Sequence, residues 1–474
     1  MVHWPPLFPI TLSVFSSFTG STLGASKLVN ALLFGATVLL VGLMIYESTG
    51  RSPYAAVTGS LLAFFAVPMI WLHSIVMSDP LFLFLAMLSV LLLAYYLERK
   101  STWLLVGSAL AAGLAFLTRY VGFASVVVGV VGIALWGRRD LRGKLRDAVV
   151  FAAVGVVPIA FWVIRNRPYG VTLSDRKMAW HPVNRGHVKM GLQAVLGWVY
   201  PLKQVGSGTF VLLWASILLL VAVFLRRRKA GGGTGAGHGV FLVRLLAVFA
   251  VVYTLSVIVS ISLFDKWTPL DSRLLLPTFI SVLVVAAYVL HGLYRASGGS
   301  AGGLLFRVSV VIVVAAILAV SMVAGVQKLG DIYAEGDGYT GREWRASETL
   351  AFARGLANSV PVYSNGGDVI YVLTGREVMG IPTKTYYPDQ PALLRADRIA
   401  MVESMKGDGG VIVFFDKLER KRPPPKAEVV AKYPVRPLKT FSDGTVFVYS
   451  RKIDNARKRR AKKASQPSPG GGGR

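Results

Sequence analysis

The sequence contains no cysteine and few charged residues, and both absences narrow its function. Without a thiol the chain can form no disulfide, thiolate nucleophile or cysteine metal site, which excludes the membrane transpeptidases that use a cysteine nucleophile. Only 16% of its 474 residues are charged, whereas soluble domains have about a quarter. This composition favours a chain that spends much of its length in lipid.

Long apolar runs fill the chain from Leu28 to Val326. Each has roughly 20 residues, enough to cross about 30 Å of hydrocarbon as a helix. We therefore predict an α-helical polytopic membrane protein of the cell membrane. About ten transmembrane helices are expected, near residues 26–46, 54–74, 80–97, 102–118, 120–136, 147–164, 208–225, 240–262, 273–293 and 304–326.

Basic residues predict the orientation of these helices. They outnumber acidic residues by 52 to 24, and they cluster in alternate short loops near residues 99–100, 138–146, 226–229 and 295–307. Such loops are normally cytoplasmic, so we expect no nucleic-acid partner. The opposite loops, "HSIVMSDP", "LTRYVG", 165–207 and "FDKWTPLDSR", are then extracytoplasmic. The 165–207 loop is itself basic, which suits a negatively charged ligand.

Beyond the last apolar run the pattern changes to that of a small α/β domain. "PVYSNG", "GVIVFFD" and "GTVFVYS" predict strands, whereas "SETLAFARGLA" and "DVIYVLTG" predict helices. We expect a multi-pass membrane domain at 1–326, an extracytoplasmic α/β domain at 327–451 and a basic disordered tail at 452–474.

The first apolar segment is unusual. Residues 4–19 are short for a span and begin with Pro-Pro, which favours an interfacial or re-entrant helix. Met1 would then lie outside, and the expected explanation is a signal-anchor helix upstream of this sequence. The alternative is that residues 4–19 span the membrane with Met1 inside.

Several polar residues mark the predicted outer ends of the helices. Asp79, in "SDP", could cap its helix, or it could bind a sugar hydroxyl or a cation, or accept a proton. Arg119 and Arg273 could snorkel to the interface or grip phosphate oxygens, and Asp271 could be the ion-pair partner of Arg273. Together they suit a phospholipid head group or a polyprenyl phosphate sugar, and spacing alone does not choose between them.

Five segments occur in an order that resembles a known family. They are "HWPPLFP", "ASKLVNALLFGATVLLVGLMIYE", "HSIVMSDPLFLFLAMLSVLLLAYYLERK", "AAGLAFLTRYVG" and "DSRLLLP". This order is similar to that of the GT-C type membrane glycosyltransferases, in particular the protein O-mannosyltransferase-like branch, family 39. The resemblance covers most of residues 3–326.

The resemblance implies sugar transfer from dolichyl or undecaprenyl phosphate to an acceptor glycan, lipid or protein outside the cytoplasmic membrane. Asp79 matches the second acidic position and would be catalytic, while Arg119 and Arg273 would hold the lipid phosphate. His3, His73 and Asp271 would contact the substrate. No metal site and no required cofactor are implied, and a divalent cation is left open.

The sequence departs from the family at its front. The principal acidic residue of the family precedes the "HWPPL" segment, where this sequence begins. We therefore expect either a first helix and outer loop upstream, or a chain that has lost its main base. A non-catalytic subunit that binds a lipid-linked glycan is the alternative function. A transporter or flippase is a further alternative, but no charged residue deep inside a predicted span favours it.

Overall fold

The computed structural model describes residues 5–166, 178–199, 238–264, 268–297, 301–383, 391–418 and 425–464. The chain divides into two compact units: the first contains Ala25–Ala334 and the residues before Thr19, and the second contains the residues from Glu335 onward, with the short segment Thr19–Gly24 grouped with it. The helices of the first unit are α1 Leu7–Thr19, α2 Thr22–Ser48, α3 Pro53–Phe65, α4 Val67–Ser74, α5 Asp79–Arg99, α6 Thr102–Thr118, a 3₁₀ turn Tyr120–Gly122, α7 Phe123–Trp136, α8 Leu141–Asn166, α9 Arg185–Gly197, α10 His238–Leu263, α11 Leu276–Ala296 and α12 Ala301–Glu335.

The multi-pass architecture is confirmed, with fewer full-length spans than the ten predicted. Six described helices are long and apolar enough to cross a membrane, or seven if the bent pair α3 and α4 forms one span. The predicted spans at 102–118 and 120–136 are shorter apolar helices, and α1 is a third. The predicted span at 208–225 lies outside the described residues.

Proline residues and one extended residue set where these helices begin and break. Pro53, Pro80 and Pro277 lie in the first turns of α3, α5 and α11, where a missing N–H costs no helical hydrogen bond. Pro68 begins α4 in the same way, and the chain bends by 54° between α3 and α4. Arg119 has extended dihedral angles (φ −150°, ψ 136°), so α6 ends before it.

Glycines allow three helices to approach closely. A Cβ added to Gly113 of α6 would lie 2.7 Å from the carbonyl oxygen of Gly155 in α8. A Cβ added to Gly129 of α7 would lie 2.0 Å from the ring of Phe151, also in α8. Small residues commonly drive helix association in lipid because they let backbones meet. The tight α6–α7–α8 group carries the short joint that contains Arg119.

The second unit is a small α/β domain, as predicted. Its elements are a 3₁₀ turn Gly338–Thr340, α13 Arg342–Arg345, α14 Glu348–Gly355, β1 Val362–Ser364, α15 Gly367–Thr374, β2 Met379–Gly380, α16 Pro391–Gly407, β3 Val411–Phe415, α17 Lys426–Lys432, β4 Val435–Thr440, β5 Gly444–Tyr449 and α18 Arg451–Ala464. The strand order is β2-β1-β3-β5-β4; β1 is parallel to β2 and β3, and β5 is antiparallel to β3 and β4.

The predicted strands correspond to β1, β3 and β5, and the predicted helices to α14 and α15. Gly375 ends α15 with a φ of 73°, a left-handed conformation that glycine adopts without strain. The edge strand β4 was not predicted, because "VRPLKT" mixes exposed charges with a proline. The prediction of a disordered tail is wrong for Arg451–Ala464, which form a helix. That stretch is rich in Arg, Lys and Ala and lacks Gly and Pro, a composition that favours a helix.

The turn between β4 and β5 is tied to the start of α14 by Asp443. Its carboxylate accepts hydrogen bonds from the hydroxyl of Ser347 and from the backbone N–H and hydroxyl of Thr349 (3.2 and 2.7 Å). Partial burial acts to raise the pKa of Asp443, but the hydrogen bonds from Ser347 and Thr349 outweigh it and lower the pKa. The ionised carboxylate therefore stabilises this corner of the domain.

Polar residues at the carboxyl ends of β1 and β3 are also used structurally. The side chain of Asn365 donates to the carbonyl oxygen of Phe415 (2.8 Å) and accepts from its N–H (2.9 Å). The hydroxyl of Tyr339 donates to Asp368 (2.6 Å), at the start of α15. The "SNGGD" sequence thus fastens two strands and a helix together.

Candidate functional site at the membrane boundary

Asp79 lies at the start of α5 and pairs with an arginine. It is the first residue of the helix, after Ser78, and its residue surface is only 6% exposed. The carboxylate forms an ion pair with Nη1 of Arg119. The predicted capping role of Asp79 is not observed. Ser78 holds the N-cap position, and within the described part of the chain the Asp79 carboxylate pairs with a guanidinium. Its charge still lies in the first helical turn, where the helix dipole stabilises an anion.

Arg119 is presented by a tight joint between α6 and α7. The extended residue donates its N–H to the carbonyl oxygen of Ala115 (3.0 Å) and accepts from the N–H of Gly122 (2.8 Å). Gly122 is required for this turn, because a Cβ there would lie 2.5 Å from the carbonyl oxygen of Ala115. The sequence "TRYVG" thus stops the helix and turns the chain back within four residues, and the Arg119 side chain points toward Asp79.

Arg273 lies in the turn that leads into α11. A side-chain oxygen of Asp271 accepts the N–H groups of Arg273 and Leu274 (3.1 and 3.2 Å), which fixes the turn. The ion pair expected between the side chains of Asp271 and Arg273 is not formed. The carboxylate of Asp271 instead accepts a hydrogen bond from the backbone N–H of Arg273. The guanidinium of Arg273 instead donates to the sulfur of Met77 (3.6 Å), in the linker that precedes Asp79.

Tyr253 of α10 joins these two segments and was not predicted. Its hydroxyl donates to the carbonyl oxygen of Leu274 (2.9 Å), in the turn that holds Arg273. Its ring stacks on Phe249 and Phe82, with centroids 5.5 and 5.7 Å away. A tyrosine in an apolar helix gives no signal in sequence when its partner is a backbone carbonyl.

These residues form one cluster, which we call the boundary cluster: Asp79, Arg119, Tyr253, Asp271 and Arg273. Arg119 and Tyr253 interact electrostatically with each other and with Asp271 and Arg273. The structure thus brings together four of the six site residues predicted from sequence. With two carboxylates and two guanidinium groups the cluster has no formal net charge.

The two guanidinium groups of the boundary cluster differ in their partners. Arg119 is neutralised by Asp79, whereas Arg273 forms no ion pair among the described residues and contacts only a thioether. A thioether is a weak hydrogen-bond acceptor. Arg273 therefore keeps most of its capacity to bind an anion, and it lies partly buried in the turn that leads into α11.

The two predicted histidines are not part of this cluster. His3 lies outside the described residues. His73, in α4, is buried; its Nδ1 contacts the carbonyl oxygen of Met69 (2.7 Å) and its ring packs edge-on against Phe34. Its Nε2 has no hydrogen-bond partner in the described part of the chain. A substrate contact for His73 thus stays a prediction.

A second buried ionic cluster lies near the opposite end of α5. Asp147 is 3% exposed, accepts from the hydroxyl of Tyr96, and pairs with Arg139 and Arg146 (3.0 and 3.1 Å). Tyr96 lies about 25 Å along α5 from Asp79, at 1.5 Å of rise per residue. The sequence marks residues 138–146 only as a basic loop, and it gives no sign of the buried carboxylate that pairs with two of its arginines.

The described residues offer no obvious metal site. Across those ranges, no three His, Asp or Glu side chains gather in an arrangement that could hold an ion. The predicted role of a divalent cation therefore stays open.

The N-terminal part of the chain resembles a known protein family. Residues 5–181 match the family model described as dolichyl-phosphate-mannose-protein mannosyltransferase. No relative among the curated proteins matches the chain in sequence.

Solved structures show the same fold. ArnT from Cupriavidus metallidurans in the apo state aligns with a TM-score of 0.60 at 14% identity, over 95% of this chain and 88% of that chain. ArnT bound to undecaprenyl phosphate aligns with a TM-score of 0.60 at 13% identity, over 95% of this chain and 89% of that chain. The chain thus resembles the dolichyl-phosphate-mannose-protein mannosyltransferase family over residues 5–181 and shares its fold with ArnT.

Proposed function

We propose that this chain transfers a sugar from a polyprenyl phosphate, dolichyl or undecaprenyl, to an acceptor on the outer side of the cytoplasmic membrane. The observation that carries the proposal is the guanidinium of Arg273, whose hydrogen bond is to the thioether of Met77. A phosphate oxygen placed there gains charge-assisted hydrogen bonds and displaces no carboxylate. The name of the matched family and the undecaprenyl phosphate bound to ArnT support a polyprenyl phosphate donor.

The reaction is a substitution at the anomeric carbon. The acceptor hydroxyl or amine forms a bond to that carbon as the bond from the carbon to the phosphate oxygen breaks. The electron pair of the broken bond stays on the lipid phosphate, and the acceptor proton passes to Asp79 as general base. Arg273, with Arg119 beside it, stabilises the charge that develops on the departing phosphate. No resident cofactor is needed for this step.

The proposed orientation places the boundary cluster outside and the Asp147 cluster inside. Asp147 pairs with Arg139 and Arg146, in the basic loop that the positive-inside rule assigns to the cytoplasm. The boundary cluster lies at the other end of α5, so it faces out. The domain that begins at Glu335 is proposed to be extracytoplasmic on the same loop assignments.

Binding of polyprenyl phosphate to the purified full chain tests this function. We expect Arg273→Ala to weaken binding about 10- to 150-fold, because a hydrogen bond to a charged group contributes roughly 1.5–3 kcal/mol. Arg273→Lys should recover only part of the loss, since it keeps the charge but not the planar fork. Arg99→Ala, which removes an exposed arginine at the opposite end of α5, is the matched control.

The outcomes separate the candidate functions. Wild-type binding that Arg273→Ala leaves unchanged would refute the phosphate role of Arg273. Binding without turnover of any polyprenyl phosphate sugar would favour the non-catalytic glycan-binding alternative. Movement of the intact lipid-linked sugar across a sealed bilayer, without its consumption, would favour a flippase.

A further inference from the structure

The ion pair between Asp79 and Arg119 occupies the same guanidinium that a donor phosphate would use. Both side chains are largely buried, with 8% and 20% of their surfaces exposed. Arg119 also lies within electrostatic range of Arg273, a like charge. Two neighbouring guanidinium groups in a largely apolar setting need anions beside them, and in this structure the anion in direct contact with Arg119 is Asp79.

A lipid phosphate at Arg273 would enter the immediate surroundings of this pair. The linker that contains Met77 leads directly to Asp79, so the thioether contact of Arg273 and the carboxylate of Asp79 lie on the same short segment. A phosphate bound there offers oxygens to both arginines. Asp79 contacts Nη1 of Arg119, so a phosphate that binds this nitrogen as part of a bidentate pair displaces the carboxylate, and the two anions compete for it.

The competition matters for chemistry because a carboxylate held by a guanidinium is a poorer proton acceptor than a free one. As long as Asp79 is paired, the carboxylate oxygen that contacts Arg119 is not available to take the proton of the acceptor. An acceptor that arrived before the donor would therefore meet a blocked base. The base is released only when another anion takes over Arg119.

We propose that Asp79 acts as an internal substitute for the donor phosphate on Arg119, so that donor binding and release of the catalytic carboxylate are one event. This rests on the proposed function and adds an order to it: donor first, acceptor second. After transfer, Asp79 gives its proton to water, the lipid phosphate leaves, and the regenerated carboxylate returns to Arg119. The pair thereby also favours product release, because it replaces the departing anion.

The test is the affinity of Asp79→Asn for polyprenyl phosphate. The variant keeps the side-chain size but removes the competing charge, so we expect about tenfold tighter binding or more, as one charge-assisted hydrogen bond passes to the ligand. Turnover of a lipid-linked sugar should fall by about 10²–10⁴, the usual cost of a lost general base. A merely structural Asp79 would give weaker binding together with the slower turnover.

A second substitution confines the effect to the pair. In an Arg119→Gln background, Asp79→Asn should no longer tighten binding, because the contested guanidinium is gone. Tighter binding that persists in this background would overturn the proposal. If Asp79→Asn does not fold, infrared difference spectra of the wild-type protein test the same step. The carboxylate bands should shift when polyprenyl phosphate is added, and unchanged bands would refute the exchange.

Different results would contradict the proposed function and the exchange of Asp79 for phosphate on Arg119. If the wild-type protein binds no polyprenyl phosphate, the proposed function is wrong. If it binds, and Arg273→Ala weakens binding while Asp79→Asn does not strengthen it, the function stands and the substitution of carboxylate for phosphate is wrong.

Discussion

Replacing Tyr253 by phenylalanine should loosen the turn that carries Arg273 and leave the aromatic packing intact. The hydroxyl of Tyr253 donates to the carbonyl oxygen of Leu274, one residue beyond Arg273. The ring, which stacks on Phe249 and Phe82, is retained in the variant. Any effect therefore reports on the hydrogen bond and not on a cavity.

The expected loss of stability follows from the burial of the hydrogen bond between Tyr253 and Leu274. Tyr253 and Leu274 are 1% and 4% exposed, so water does not readily replace the lost donor. Leaving a buried carbonyl unpaired costs about 1–3 kcal/mol in free energy of unfolding. If roughly 1 kcal/mol of this appears as disorder of the turn in the free protein, polyprenyl phosphate affinity should fall about fivefold.

Both effects are measurable on the full chain in mixed micelles. Denaturant titration gives the free energy of unfolding, and lipid binding gives the affinity. Tyr288→Phe is the control, because the Tyr288 hydroxyl has no hydrogen bond within the described residues. Unchanged affinity with reduced stability would show that Tyr253 supports the fold but does not position Arg273.

Three further predictions concern other parts of the molecule. Asp443→Asn should destabilise the second unit by about 1–3 kcal/mol at neutral pH. Since the folded pKa of Asp443 is lowered, the wild type should lose this stability as the pH falls through the ordinary value of 3.8 and then through the lower folded pKa, and the variant should not. Gly113→Val should destabilise the chain by about 1–3 kcal/mol or more through a clash with α8, whereas Gly35→Val, with open space around it, should not. An impermeant thiol reagent on intact cells should label Ser442→Cys but not Arg142→Cys, both exposed, and the reverse pattern would invert the proposed orientation.

The sequence predicts the elements of this fold better than their connections. Apolar run length identifies the long helices, and short runs rich in β-branched and aromatic residues identify the buried strands β3 and β5. The prediction fails where a local pattern is ambiguous. The apolar run ends at Val326, but α12 continues past Gly330 to Glu335 and stops where Gly336 has a φ of 74°. The helix α18 forms in a tail that its basic, Pro- and Gly-rich composition predicts to be disordered.

The site could be predicted in composition but not in pairing. Asp79, Arg119 and Arg273 are conspicuous as polar residues at the ends of apolar runs. Their partners come from distant segments, such as Met77 for Arg273, and no spacing rule gives such contacts. Asp271 is different, because an Asp two and three residues before free N–H groups is a recognisable turn, and its local role could have been inferred.

The central claim is that the boundary cluster binds the phosphate of a polyprenyl donor. A structure of the full chain with bound polyprenyl phosphate measures this most directly. We predict that the phosphate lies within hydrogen-bonding distance of the guanidinium groups of Arg273 and Arg119, with Asp79 released from Arg119. A phosphate bound elsewhere, with Arg273 still on Met77 and Asp79 still paired, would contradict the claim.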